Sequence, residues 1–110
     1  MEIQNKLSEI GGRYLERTRG EMPLLRNQLQ RLRAADVHAL EEMEMLIHKI
    51  HGSGSMLGFN VLSELAGEME ALIVSHRREG GAKLEDLLPR LAVLLDKLDD
   101  DLQKAAEKRR

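Results

Sequence analysis

The chain has 110 residues, which leaves room for one hydrophobic core, so we predict a single domain over residues 1–110. Hydrophobic residues make up 42% of it and charged residues 33%, a balance that excludes a disordered chain. The net charge of -2 comes from 17 basic and 19 acidic residues that are mixed along the chain, which argues against a nucleic-acid-binding surface.

Several further classes of protein are excluded by what the sequence lacks. It contains no cysteine, so disulfides and thiolate metal sites are ruled out. The first residues lack the charged-then-apolar order of a secretory signal. No apolar run approaches the roughly 20 residues that cross a bilayer. We therefore expect a cytoplasmic protein with no membrane partner.

The composition favours helices. Tyr14 and Phe59 are the only Tyr, Phe or Trp residues, whereas Leu, Glu, Arg and Lys are abundant. In the first segment, apolar residues recur at helical spacing over residues 3–10 and then meet Gly11 and Gly12. Because paired glycines commonly interrupt a helix, we predict a short N-terminal helix that ends there.

Longer helices follow. The first of these is predicted from about Tyr14 to Leu32, with a kink or restart at Pro23, because proline removes a backbone donor. Asp36 is the expected N-cap of the next helix. Its apolar positions form one stripe with a period near 3.6 residues, which is typical of a helix that packs on one face. Asn60 is the expected cap of the helix after it.

That helix should close at residues 77–81, where basic residues precede two glycines. The last helix carries leucines at helical spacing over residues 87–102 and is expected to start close to Pro89. Long amphipathic helices with short connections predict an all-α fold, an antiparallel four-helix bundle with a short extra N-terminal helix. A dimeric coiled coil is the alternative architecture.

The segment from residue 48 to residue 58 carries the most information about function. At 100° per residue, His48 lies about 140° from the centre of the apolar stripe and projects to water between Glu44 and Gly52. His51 lies on the flank of the stripe. Because Gly52 has no side chain, a partner can reach the His48 ring. The alternative is that Gly52 and Gly54 merely end the helix or permit close packing.

An exposed imidazole is able to act as a nucleophile and to carry a covalent group. A phosphorylated ring needs access, a polar group that orients it, and donors that offset the phosphate charge. Lys49 and His51 are the candidate donors. The alternative is an ordinary surface histidine. His38 falls on the exposed side of its helix and His76 near the core side at a helix end, and we interpret both as structural or surface residues. A metal site at His48 and His51 is a further alternative, although no other ligands converge in the sequence.

The spacing of one histidine, two glycines and a later acidic residue resembles the histidine-containing phosphotransfer (Hpt) domain of bacterial phosphorelays. The matching positions are His48, Gly52, Gly58, Leu62, Leu65, Met69 and Glu70. The chain is also similar to the phosphotransfer domain of chemotaxis histidine kinases, particularly at residues 57–59 and 61–62.

The resemblance implies roles for individual residues. It makes His48 the phosphoacceptor, Gly52 the small residue that gives access, and Glu70 the group that hydrogen-bonds the imidazole from the next helix. The position of Glu70, about 110° from the apolar centre of its helix, is compatible, as it is with an ordinary solvated glutamate. The family usually has lysine where this chain has His51, so the cation near the phosphate is weakened or pH-dependent. Lys49 points to another side and compensates only partly.

The resemblance therefore implies a carrier that receives a phosphoryl group from an aspartate of one response-regulator receiver domain and passes it to another. In the chemotaxis variant, a histidine kinase using ATP is the donor. The chain has no Gly-rich nucleotide loop, so we expect a carrier rather than an enzyme. We also expect a monomer. We expect no cofactor of its own, with Mg²⁺ on the partner receiver. The alternative function is a helical interaction module without chemistry.

Overall fold

The computed structural model describes residues 2–79 and 83–109, and regular structure among these residues is entirely helical. The four helices are α1 (Glu2–Arg33), α2 (His38–Met56), α3 (Asn60–Glu79) and α4 (Leu84–Lys108). This confirms the prediction of an all-α four-helix bundle. Within the described ranges, no helix is both long enough and apolar enough to cross a membrane.

The helices form a closed ring. Each helix packs against the helices before and after it in sequence, and α4 returns to pack against α1. Short connections between successive helices reverse the chain direction, as in an up-down-up-down bundle. The molecule measures 53 × 22 × 19 Å, so its long axis follows the helices. The exposed faces of α2 and α3 therefore lie side by side along the bundle.

The core is almost entirely aliphatic. The largest side chains that are fully buried are Leu25, Leu32, Met43, Ile47, Ile50, Leu62, Met69, Ile73, Leu91, Leu95, Leu98 and Leu102. Tyr14 adds a directional contact, because its hydroxyl donates to the Ile50 carbonyl at 2.8 Å and its ring stacks on Phe59 at 5.5 Å. This hydrogen bond to Ile50 helps to set the rotation of α2 about its own axis. That rotation determines which face of α2 is exposed.

The predicted extra N-terminal helix is wrong, because α1 is continuous through Gly11 and Gly12. The glycines instead admit Arg109 from the end of α4. A Cβ atom on Gly11 would lie 3.0 Å from the Arg109 guanidinium, which hydrogen-bonds the carbonyl and hydroxyl of Ser8. The guanidinium also lies over the Phe59 ring, 5.9 Å from its centroid. The glycine pair therefore serves helix packing rather than a helix end.

A kink or restart was expected at Pro23, and the restart is wrong. α1 runs through Pro23, which is exposed on the outer side of the helix. Proline removes one helical hydrogen bond, but Met22 and Leu25 on either side of it are buried in the core. Tertiary packing therefore holds the helix together where the local sequence favours a break.

The helix starts differ from the predictions by one or more residues. α2 begins at His38 with Val37 as its N-cap residue, although the Asp36 carboxylate does accept the His38 N–H at 3.2 Å. The carbonyl of Phe59 accepts the first hydrogen bond of α3, so Asn60 lies inside the helix rather than capping it. These shifts move the helix ends without changing which faces are buried.

α4 begins at Leu84, well before Pro89, where the start was expected. Glu85 and Asp86 occupy its first turn, where negative charge is favourable near the helix N-terminus. The proposed closing glycines at residues 80 and 81 lie outside the described residues.

Candidate functional site

His48 lies in the middle of α2, where its side chain is 74% exposed. Ile47 and Ile50 on either side of it are fully buried. Because these neighbours fix the helix against the core, His48 is directed to solvent, as the helical periodicity predicts. The imidazole is therefore accessible to a second molecule.

Glu70 reaches His48 from the adjacent helix α3. Met69 and Ile73 are fully buried and set the rotation of α3, which leaves Glu70 at the seam between the helices. Its Oε2 atom is hydrogen-bonded to Nδ1 of His48. An ionised carboxylate only accepts hydrogen bonds, so Nδ1 must carry the proton of a neutral ring. Nε2 of His48 then keeps its lone pair and is the nitrogen available to a partner.

His51 contacts the same carboxylate. Its Nδ1 atom lies 2.9 Å from Oε1 of Glu70, so each oxygen of Glu70 serves one imidazole. From the sequence, His51 was expected beside the phosphate, and its bond to Glu70 was not predicted. The signal that was available is Gly67, one turn before Glu70 on α3. A Cβ atom there would lie 3.1 Å from Nε2 of His51, so the glycine makes room for the ring.

The electrostatics keep Glu70 ionised. Partial burial raises the pKa of Glu70, but the hydrogen bonds from His51 and His48 lower it by more, and the resulting pKa lies below the usual range. Glu70 is therefore a carboxylate at neutral pH and is able to accept from both imidazoles.

Lys49 points to the opposite side of α2. Its Nζ donates to Oε2 of Glu21 on α1 at 3.0 Å, and the lysine side chain is half exposed. The structure thus places Lys49 away from Glu70, as the sequence analysis expected for a residue on a different side. A role for Lys49 beside a phosphate stays a prediction.

Gly52 and Gly54 do different things, although both lie inside α2, which continues to Met56. A Cβ atom on Gly52 would meet nothing within 4 Å, so the surface one turn beyond His48 is open. A Cβ atom on Gly54 would lie 3.1 Å from the Tyr14 hydroxyl. The packing alternative is therefore correct for Gly54, whereas Gly52 leaves exposed space.

Apolar side chains flank His48 along the exposed side of α2. Met45 is 73% exposed and Met56 is 86% exposed. One turn before His48, Glu44 forms an ion pair with Arg77 of α3. Flexible methionines at a surface are suited to contact with a protein partner. The histidine thus lies in a surface of mixed apolar and polar character.

The other histidines lie away from the Glu70 carboxylate. His38 is exposed at the start of α2, and His76 is partly buried near the end of α3. Among the described residues, no group of three His, Cys, Asp or Glu side chains is arranged to hold a metal ion.

Comparison with known proteins gives one informative result. The model of the protein family described as "Hpt domain" matches residues 13–107, which is most of the chain. No curated protein and no solved structure matches this chain. The matched range contains His48, His51 and Glu70, together with the whole of α2, α3 and the seam between them.

Proposed function

This chain belongs to the Hpt domain family, and we propose that it relays a phosphoryl group to and from receiver-domain aspartates, with His48 as the phosphoacceptor. By its family, the chain is a phosphotransfer module of two-component signalling. The observation that supports the finer proposal most strongly is the pairing of an exposed His48 ring with Glu70 through Nδ1. That pairing leaves Nε2 free to form a bond to phosphorus.

The proposed step is a direct transfer. The Nε2 lone pair of His48 attacks the phosphorus of an aspartyl phosphate on a receiver. The N–P bond forms as the P–O bond to the aspartate breaks, and the aspartate carboxylate leaves with the electron pair. The proton on Nδ1 stays in place, so the ring becomes positively charged. Glu70 stabilises that charge and holds the ring in one orientation.

The reverse of this step delivers the phosphoryl group to the next receiver. Mg²⁺ is expected on the receiver, where it neutralises the phosphoryl oxygens. A histidine kinase with its own ATP-binding domain is the other expected donor. In this scheme the chain is a carrier without a cofactor of its own, and it acts as a cytoplasmic monomer.

Neighbouring residues have secondary roles in the proposal. Gly52 provides the space through which the receiver approaches, because a Cβ atom there would contact nothing. Lys49 lies on the α1 side of α2, where it pairs with Glu21. It would have to leave that ion pair to contact the phosphoryl group, so it is a partial source of positive charge. His51 is also a phosphate neighbour in this proposal, and in the unphosphorylated chain it contacts Glu70.

The test uses a receiver domain that has been phosphorylated with acetyl phosphate and then mixed with the chain and Mg²⁺. We expect the phosphoryl group to move to the chain as an acid-labile modification, which mass spectrometry should locate on His48. Location of the phosphoryl group on His51 would contradict the proposed register. Binding of the receiver without any transfer would favour the alternative, an interaction module without chemistry.

A further inference from the structure

Glu70 has two imidazole partners, but the proposed reaction uses only one of them. The reacting ring, His48, occupies Oε2, whereas Oε1 receives Nδ1 of His51 at 2.9 Å. The His51 side chain is 42% exposed, so simple burial does not hold its ring against α3. The bond to Glu70 therefore needs an explanation beyond core packing.

The opposite edge of the His51 ring rests on α3. The ideal Cβ position of Gly67 lies 3.1 Å from Nε2 of His51, with Cε1 at 3.4 Å and Cδ2 at 3.5 Å. The ring thus fits between Gly67 and the Glu70 carboxylate. Its second nitrogen faces the helix backbone rather than the reacting atom of His48. Glycine inside a helix is unfavourable relative to alanine, so the space at Gly67 has a cost in helix stability.

The main chain of His51 is also anchored. The Ser63 hydroxyl of α3 donates to the His51 carbonyl at 3.0 Å, and Ser63 itself is buried. Both ends of the residue are therefore tied to α3, the backbone through Ser63 and the ring through Glu70. This gives His51 a fixed position from which to orient the carboxylate.

A glutamate side chain has several rotatable bonds, so one donor alone leaves its carboxylate free to turn. A second donor on the other oxygen fixes the plane of the carboxylate. We propose that His51 is a positioning residue, which holds Glu70 so that its Oε2 stays aligned with Nδ1 of His48 and keeps Nε2 ready to react. Gly67 is the residue that makes this position available. The expected effect of His51 on transfer rests on the proposed function, whereas its expected effect on the His48 ring does not.

The first test measures the nitrogen chemical shifts of the His48 ring in the unphosphorylated chain at about pH 8, where histidine side chains are mostly neutral. We expect the Nδ1–H tautomer in the wild type. His51→Ala should move His48 toward the tautomer mixture found in Glu70→Ala, and His51→Asn, which keeps an N–H donor near the Nδ1 position, should restore it. An unchanged His48 tautomer in His51→Ala would overturn the proposal.

The second test measures the rate of phosphoryl transfer in a double-mutant cycle. His51→Ala should slow transfer by roughly fivefold, less than the loss of Glu70 itself, because the Glu70 carboxylate remains but is less well oriented. In the Glu70→Ala background, His51→Ala should slow it no further. An equal slowing in both backgrounds would show that His51 acts on the phosphoryl group independently of Glu70, which would also overturn the proposal.

A third variant approaches the same contact from α3. Gly67→Ala should displace the His51 ring and slow transfer, whereas in the His51→Ala background the same substitution should have no effect on the rate. Gly20→Ala is the matched control, because Gly20 also lies inside a helix and a Cβ atom there would contact nothing within 4 Å. Equal slowing by Gly67→Ala with and without the His51 ring would contradict the role of Gly67.

The outcomes separate this inference from the proposed function. If the wild type accepts no phosphoryl group, the proposed function fails, and the tautomer measurement still decides whether His51 orients the His48 ring. If transfer occurs at His48 but responds to none of the His51 or Gly67 variants, only the positioning role fails.

Discussion

Two clusters of ionisable side chains at α2 have opposite ratios of acids to bases. At the seam with α3, one acid, Glu70, is shared by two bases, His48 and His51. At the turn from α1, one base, Arg31, is shared by two acids: its Nη2 lies 2.9 Å from Asp36 and 2.6 Å from Glu42. Both clusters join α2 to a neighbouring helix.

The difference between the clusters is in their chemistry. Arginine keeps its proton under all ordinary conditions, and it presents no lone pair. The Arg31 cluster is therefore able to hold the turn but not to form a bond with a substrate. The imidazoles at Glu70 each have a second nitrogen, and the nitrogen of His48 is exposed. The Arg31 cluster thus has a structural role, whereas the Glu70 cluster contains a candidate nucleophile.

The largest effect that this comparison predicts is on His48 itself. His48→Gln should eliminate phosphate acceptance, because no nucleophilic nitrogen remains at the exposed position. Stability should change by less than about 0.5 kcal/mol, as for most surface substitutions. Transfer from a phosphorylated receiver and thermal unfolding measure the two quantities. His38→Gln, an exposed histidine on the same helix, is the matched control and should transfer normally. Retained acceptance in His48→Gln, or a collapse of its fold, would refute the assignment.

The next effect separates the shared acid from the nucleophile. Glu70→Ala should slow transfer by roughly tenfold to a hundredfold without abolishing it, since a hydrogen bond to a charged group is lost but Nε2 of His48 remains. Rapid-mixing measurement of transfer from a phosphorylated receiver gives the rate. A rate equal to that of the wild type would make Glu70 an ordinary surface acid.

Disruption of the other cluster should affect stability and not transfer. The hydrogen bonds from Arg31 lower the pKa of Asp36 below its ordinary value of 3.8 and that of Glu42 below 4.5. A carboxyl group whose pKa is lower in the folded chain than in the unfolded chain stabilises the fold when the pH is above its pKa in the unfolded chain. This stabilisation is lost as the pH falls through its pKa in the folded chain. Arg31→Gln should therefore destabilise the chain at neutral pH and flatten its loss of stability below about pH 4.5. Denaturant unfolding at several pH values tests this, and a steeper acid dependence in the variant would contradict it.

The sequence predicted the features that depend on periodicity. The outward direction of His48 and the buried faces follow from apolar residues such as Ile47 and Ile50, which recur at helical spacing. It failed where a contact distant in sequence overrides a local signal. Gly11 was interpreted as a break, but it faces Arg109, which lies at the other end of the chain. The bond from His51 to Glu70 was missed for the same reason. Helical periodicity predicts the side of the helix on which a side chain lies, but it does not predict the residue on another helix that the side chain contacts.

The smallest predicted effect makes the two clusters more alike. His51→Lys replaces an imidazole at Glu70 with a cation that, like Arg31, stays charged at neutral pH. A lysine side chain is long enough to donate to Oε1 of Glu70, so acceptance at His48 should be preserved, with a rate within about threefold of the wild type. The phosphorylated form should last at least as long as in the wild type, because the fixed charge offsets that of the phosphate. Transfer rates and the lifetime of the acid-labile phosphoprotein, both measured at neutral pH, test the prediction. Loss of acceptance in His51→Lys would show that the imidazole at position 51 takes part in the reaction itself.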